Sequence, residues 1–421
     1  MGRNKQYMAE QTATIKTNSG YIPAFDGIRG LFSFTILIIH LHFSLLRIPN
    51  TLGYFTMHCF FIMSSFLITR GLINDKKRHL SFGSYYKFFY IKRSLRILPV
   101  YVSYLLLCIA IALFTYHSDL KKILGLVYEF KYFGWMLLTF TYNFKDFLCL
   151  YTGWNDFASP VTPHLWSLSL EEQFYFSIPF IIYFCSTKTL KRITIAAILI
   201  FPAIRVIGYY YLIHHPGIHL QAFPDTFVSF ILYRCTFFQF DAFFYGIFVV
   251  LFDFQDKRLI KIAFYTVLTL LVVSIIYNGI VVSQEENKPF MEVVSHYSFM
   301  IKNGQFFYLD FLVNSLCVLL FYLSFKLDEG FSIFKTKFFV FIGKISYGVY
   351  VYQYIFIYPA IMLLTPFVVK HLGVLFGEAL SMFLALSPLI LLSNLSYQKM
   401  ELYFINLKDK YLPKKNTAHT K

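Results

Sequence analysis

The 421 residues are 57% hydrophobic and 21% aromatic, with 52 Phe and 33 Tyr, and only 14% are charged. A soluble globular domain has no use for so much apolar side chain, so repeated spans of about 20 apolar residues are expected and the chain reads as a polytopic membrane protein. The net charge of +16 would suit nucleic acid in a soluble protein, but in a membrane protein Lys and Arg collect in cytoplasmic loops, so their placement decides between the two. The six cysteines, at positions 59, 108, 149, 185, 235 and 317, stand singly in apolar segments without a C-x-x-C pair. They support neither a disulfide framework nor a zinc site.

Residues 1–24 are polar and hold no apolar core followed by a small-residue cleavage site. They are expected to form a cytoplasmic segment, with the first apolar helix directing insertion. The next stretch, DGIRGLFSFTILIIHLH from Asp26 to His42, places a glycine-flanked arginine and two histidines where the chain enters lipid. An ionisable group at membrane depth marks a functional site by default. Arg29 and His40 are eleven residues apart, so on a helix they return to within roughly 20° of one face, with about 16 Å of rise between them. Arg29 then lies near an interface and His40 near the midplane. His42 points about 200° further round and takes a structural or secondary role. Two readings of His40 stand: an imidazole bonded to a neighbouring helix, or, being neutral near pH 7, a general base that takes a proton from a hydroxyl.

Apolar runs of membrane length fall near 31–46, 54–73, 98–116, 166–185, 193–213, 228–252, 262–282, 305–325, 345–366 and 374–397. The expected architecture is all-α, a bundle of about ten spanning helices plus a re-entrant or interfacial segment near 132–150. Gly134, Asn143, Lys145 and Asp146 interrupt that segment. If it crossed, the basic stretches Lys188–Arg192, Lys257–Lys261 and Lys326–Lys344 would be external. If it does not, they and both termini, including a basic tail at 401–421, are cytoplasmic, as the positive-inside tendency favours. Charge that follows loop parity is not a single patch, which removes the nucleic-acid reading.

The densest basic segment runs from Arg70 to Arg96 with eight Lys and Arg, as a topology anchor or as an anion site on the cytoplasmic face. Within YIKRSLRILPVY, Arg93 and Arg96 are neighbours on one helical surface, and Pro99 is expected in the first turn of the following span. They offer two guanidinium groups to a phosphorylated ligand, or anchor the helix at the interface. In HLWSLSLEEQFYF, His164 to Phe176, two adjacent carboxylates open an apolar helix, which is costly unless they are paired or solvated. Glu171 and Tyr175 share a face, and Glu172 is rotated by about 100°. Helix N-terminal charge, with Ser167 or Ser169 as cap, accounts for one glutamate. The other can orient and polarise an imidazole. Arg205, Arg234, Asp241 and Asp310 are further polar residues at membrane depth. Arg234 and Asp241, seven apart, are expected to form an internal ion pair or to line a water-filled cavity. No H-E-x-x-H, Walker loop, G-x-G-x-x-G or G-x-S-x-G occurs, so metal hydrolysis, nucleotide hydrolysis and a serine elbow lack support.

Five segments, DGIRGLFSFTILIIH, FFIMSSFLIT, RSLRILPVY, HLWSLSLEEQFYF and GKISYGVYVYQ, stand in an order and spacing that resemble the integral-membrane acyltransferase-3 family over roughly residues 21–400. The resemblance implies a membrane acyltransferase domain over 25–400 that O-acylates a sugar or another hydroxylated molecule. Arg29 and His40 correspond to the hallmark pair of the family's first helix, Arg93 and Arg96 to the arginines before its third span, and Glu171 to the glutamate of its WSLS-E motif. The chain departs from the pattern at Ser65, where glycine is usual, and at Gln239, where an arginine often stands. It departs again at Gln353, where the last motif commonly ends in histidine, so that position is assigned no proton-transfer role. Fused members carry an extracytoplasmic esterase-like domain, and this sequence resembles the stand-alone type.

The resemblance further implies transfer of an acyl group, acetyl being the expected one, from acyl-coenzyme A to a saccharide hydroxyl, such as one of a surface polysaccharide or lipopolysaccharide, at a bacterial inner membrane. His40 would act as base or transient acyl carrier, Arg29 as a positioning or oxyanion-stabilising charge, and Glu171 as orienter of the imidazole or of a hydroxyl. Arg93 and Arg96 would hold the donor's phosphates. Glu172, Tyr175, Asp241 and Arg205 are secondary candidates, and no metal or resident cofactor is expected. Two competing readings are a transporter or flippase for a glycan or small molecule, with buried charges lining a pathway, and an inactive sensory or scaffold protein.

Overall fold

A computed structural model describes residues 23–41, 49–153, 159–214, 224–295, 299, 306–326 and 332–411, and every regular element among them is helical. The helices used below are α1 (Pro23–Leu41), α2 (Asn50–Lys76), α3 (Phe82–Phe114), α4 (Leu126–Leu138), α5 (Lys145–Thr152), α6 (Trp166–Phe184), α7 (Thr187–His214), α8 (Pro224–Arg234), α9 (Asp241–Leu251), α10 (Lys257–Glu286), α11 (Phe306–Phe321), α12 (Lys337–Pro359), α13 (Thr365–Ser396) and α14 (Leu402–Tyr411). Among the described residues six helical runs, against the roughly ten spans expected, are long and apolar enough to cross a membrane by length and composition, and one of them, 337–407, is a composite broken at Gly373 (φ 76, ψ 169). That is the make-up of a multi-pass membrane protein. His42, most of the 1–24 segment and the end of the 401–421 tail lie outside the described residues.

The interrupted segment near 132–150 is two short helices, α4 of 13 residues and α5 of 8, joined through a turn of 3-10 helix at Tyr142–Phe144. At about 1.5 Å per residue neither reaches across about 30 Å of hydrocarbon. The pair is pinned by the buried Glu129, which accepts from Tyr142 Oη at 2.5 Å, Lys145 Nζ at 2.9 Å and the Ser159 backbone N–H at 2.5 Å. α3 departs from expectation. It begins at Phe82 and runs unbroken through Pro99, so the proline is interior and Arg93 and Arg96 belong to the same helix as the span after them. The 3.6-residue pattern of aromatic and aliphatic side chains before the proline carries the helix through it, at the loss of one backbone hydrogen bond.

α1 packs most extensively on α12, and small residues set the closeness of that packing. A Cβ on Gly30 would sit 1.8 Å from the Phe339 carbonyl oxygen, and one on Gly343 1.8 Å from the Asp26 carbonyl oxygen. The glycines around Arg29 therefore let two backbones touch, the usual small-residue device of helices in lipid. α2 packs on α9 in the same way, but with the small residue on the other partner. Gly246 of α9 faces the Ile62 carbonyl oxygen, 2.3 Å from where its Cβ would be, and Ser65 Oγ of α2 donates to the Phe243 carbonyl. Serine at 65 is thus compatible with close approach, because the clearance comes from α9.

Candidate active site

α1, α2, α3, α6 and α12 enclose a cavity of about 150 Å³. Its polar lining is Arg29 and Ser33 from α1, Ser64 from α2, Arg93 and Arg96 from α3, Ser167, Glu171 and Tyr175 from α6, and Ser346, Tyr347, Tyr350 and Gln353 from α12. The rest is largely apolar, including Ile36, Met57, Phe60, Phe61 and Leu67. The lining holds three arginines and one glutamate, with Asp26, Glu172 and Glu401 acting on those arginines from outside it, and guanidinium groups suit an anionic ligand. Arg29 is tethered by Asp26, one turn earlier, at 3.3 Å. Arg93 lies over the Tyr175 ring, 5.5 Å from its centroid, an arrangement that restrains the guanidinium without neutralising it.

On the α6 side a chain of hydroxyls runs to the carboxylate. Ser64 and Tyr175 share a hydrogen bond of 2.8 Å, and Tyr175 Oη donates to Glu171 Oε2 at 3.0 Å. The shared face of Glu171 and Tyr175 expected from their spacing is therefore realised. Glu172, a third of a turn away, is outside the lining but close enough to interact electrostatically with Arg93. Ser64 lies in the quoted FFIMSSFLIT segment, yet nothing in the sequence marks it. Its partner is 111 residues away.

His40 is half-buried at the far end of α1's inner face and meets the cavity through Gln353, whose Oε1 lies 3.0 Å from Nδ1. Gln353 Nε2 in turn donates to the Tyr350 carbonyl at 3.0 Å. The His40 ring packs against Tyr354 at 5.0 Å between centroids, and Tyr354 stacks on His164 at 4.9 Å. His164 donates through Nε2 to the Val351 carbonyl at 3.0 Å. Gln353 and His164 were not among the sequence-predicted site residues. Glu171 accepts from the Tyr175 hydroxyl, and the side chain on the imidazole Nδ1 is Gln353.

Arg205 and Asp241 are brought together, but away from the cavity. Arg205 donates through Nη2 to Asp241 at 2.7 Å, through Nη1 to Asp310, and through Nε to the Phe238 carbonyl at 2.6 Å. Tyr54 Oη completes the knot on Asp310. The expected pairing of Arg234 with Asp241 is corrected: Arg234 pairs with Asp146 at 2.9 Å. The seven-residue spacing fails because Cys235 is extended, at φ −71 and ψ 135, and breaks the helix between the two residues.

Residues 22–395 match the family model described as an acyltransferase domain, that of acyltransferase-3 proteins. The chain belongs to the acyltransferase-3 family. Within it, the chain is similar to the peptidoglycan O-acetyltransferase OatA of Listeria monocytogenes, 28% identical over 189 residues, which are 43% of this chain and 28% of that protein. It is 28% identical over 166 residues to the O-acetyltransferase OatA of Staphylococcus aureus, covering 39% of this chain and 25% of the relative. An uncharacterized protein of Haemophilus influenzae is 31% identical over 193 residues, covering 42% of this chain and 73% of that protein. The match thus spans about a quarter of the length of the two named acetyltransferases. No solved structure matches.

Proposed function

We propose that the protein transfers an acyl group, acetyl first among candidates, from acyl-coenzyme A to a hydroxyl of a saccharide. The observation that carries this reading is the cavity, where three arginines and a hydroxyl-bonded glutamate converge beside a histidine held from α12. Coenzyme A is polyanionic, and Arg93 and Arg96, one turn apart on α3, suit its phosphates. With both termini and the basic loops on the cytoplasmic side and the α4–α5 segment interfacial, those arginines face the compartment that holds the donor. The names of the O-acetyltransferase relatives favour acetyl and, for the peptidoglycan acetyltransferase, a glycan acceptor; a surface polysaccharide or lipopolysaccharide at a bacterial inner membrane is our narrower proposal.

In the transfer, His40 takes the proton of the acceptor hydroxyl as its oxygen attacks the thioester carbonyl. The new C–O bond forms, the C–S bond breaks, and the departing thiolate takes the proton from the imidazolium. Arg29, tethered to Asp26 and about 16 Å of helix from His40, serves as a positioning charge for the donor. Glu171, through Tyr175 and Ser64, orients the acceptor. The test is to incubate purified protein with acetyl-CoA labelled in its acetyl group and a panel of surface glycans, and to read the glycans by mass spectrometry. A labelled ester with the wild type and none with His40→Ala is the expected result. Movement of glycan across a vesicle membrane with no covalent label would replace the enzyme with a carrier.

A further inference from the structure

Two tyrosines decide what two cavity serines offer a ligand. Ser167, the second residue of α6, is buried and lines the cavity. Its position suits a helix cap, but no side chain caps α6, and its hydroxyl turns instead to Tyr350 Oη of α12, 2.7 Å away. Tyr350 Oη also reaches the His164 carbonyl oxygen. A carbonyl can only accept, so the single proton of Tyr350 goes there, and the proton between the two hydroxyls comes from Ser167. Ser167 has then spent its one donor. Among the described residues none donates to its oxygen, which keeps its lone pairs for the cavity. Ser64 repeats the pattern: Tyr175 Oη gives its proton to the Glu171 carboxylate at 3.0 Å, so Ser64 donates across its 2.8 Å bond to Tyr175.

The place of Ser167 narrows what meets it. On α6 it stands two turns from Tyr175, about 12 Å along the helix axis, and Arg93 lies over the Tyr175 ring at 5.5 Å. The lining is thus cationic at the Tyr175 end, whereas at the other end Ser167, Tyr350 and Gln353 are uncharged. A polyanionic donor takes the arginine end, which leaves Ser167 for the acceptor. We infer that Ser167 is a specificity-determining residue for the acceptor: its oxygen accepts a hydrogen bond from a saccharide hydroxyl other than the one that is acylated. The inference rests on the acyl-transfer reading. In that reaction the attacking hydroxyl loses its proton as its oxygen bonds to the acyl carbon. A serine oxygen whose own proton is committed receives a hydrogen bond well but is too weak a base to take that proton, so Ser167 serves a second hydroxyl. Acceptors with several hydroxyls, as sugars have, are then favoured over a monohydric alcohol, which leaves the Ser167 oxygen unanswered.

The test compares wild type, Ser167→Ala and Ser167→Thr, purified in detergent, with labelled acetyl-CoA as donor. Chitotetraose and the surface glycans of the panel above are the saccharide acceptors, cyclohexanol is the monohydric one, and labelled ester is read by mass spectrometry. Ser167→Ala is expected to raise KM for the saccharide that wild type labels fastest by about fivefold, the loss of one hydrogen bond, with KM for acetyl-CoA unmoved. Preference for that saccharide over cyclohexanol should fall by the same factor. Ser167→Thr keeps the hydroxyl and should restore both. An unchanged saccharide KM in Ser167→Ala, whether or not its melting temperature drops, would make the Ser167–Tyr350 bond a tie between α6 and α12 and overturn the inference. A rise confined to KM for acetyl-CoA would also overturn it, by putting an amide N–H of the donor on Ser167. Wild type that labels no saccharide would instead fail the acyl-transfer reading, and the inference with it.

Discussion

Two regions of the bundle hold arginine, and they hold it differently. In the knot between α2, α7, α9 and α11, Arg205 is 1% exposed, and Asp241, Asp310 and the Phe238 carbonyl each take one of its donor groups. In the cavity, Arg29 pairs with Asp26 at its edge, and Arg93 and the exposed Arg96 share the lining with Glu171. A guanidinium in a low-dielectric interior is tolerable only when its charge and donors are answered. The knot answers the charge from within with two carboxylates, whereas Arg93 and Arg96 donate no hydrogen bond among the described residues and keep their donor groups for something that binds. The same residue type is thus fully buried in an ion-pair knot in one place and partly open to a cavity in the other.

The sharpest break of this comparison is at the knot. Arg205→Leu strands two carboxylates in the core and is expected to cost about 3–5 kcal/mol, enough to deplete folded protein. Monodisperse protein in detergent and its melting temperature measure this, and a variant as stable as wild type would show that the knot is not a clamp. Next in size is Gly30→Val, whose side chain would run into the Phe339 carbonyl. It should part α1 from α12, lowering stability by several kcal/mol as an overpacked contact does, and activity with it. Arg96→Glu should leave the melting temperature within about 2 °C, as a change facing open space does, while raising KM for acetyl-CoA by about tenfold or more through the reversed charge. An unchanged KM would return Arg93 and Arg96 to the anchor reading. The smallest expected effect is at Tyr175→Phe. It removes the hydroxyl between Ser64 and Glu171, keeps the ring under Arg93, and should reduce kcat a few-fold with donor KM unmoved.

What could be read from the chain beforehand follows the range of the interactions. Apolar periodicity placed helices near each expected span, and i, i+4 spacing joined Glu171 to Tyr175, because both signals are local. The glycines beside Arg29 were visible, but their purpose depends on Phe339 and Gly343, some 300 residues on. Gln353 was set aside for lacking a histidine's chemistry. Its hydrogen bond to His40 spans 313 residues, and no spacing rule encodes that. The partners of Arg205 were unreadable for the same reason. The Arg234–Asp241 pairing failed locally, since one extended residue at Cys235 voids the helical period on which it relied.

The central claim is that the cavity's arginines and the histidine beside it serve acyl transfer. Its most direct measurement is single-turnover transfer of labelled acetyl from acetyl-CoA to a surface glycan by purified wild type and His40→Ala, matched for melting temperature. The account predicts labelled glycan ester with the wild type and none above the enzyme-free blank with the variant. Equal labelling by both proteins would contradict it.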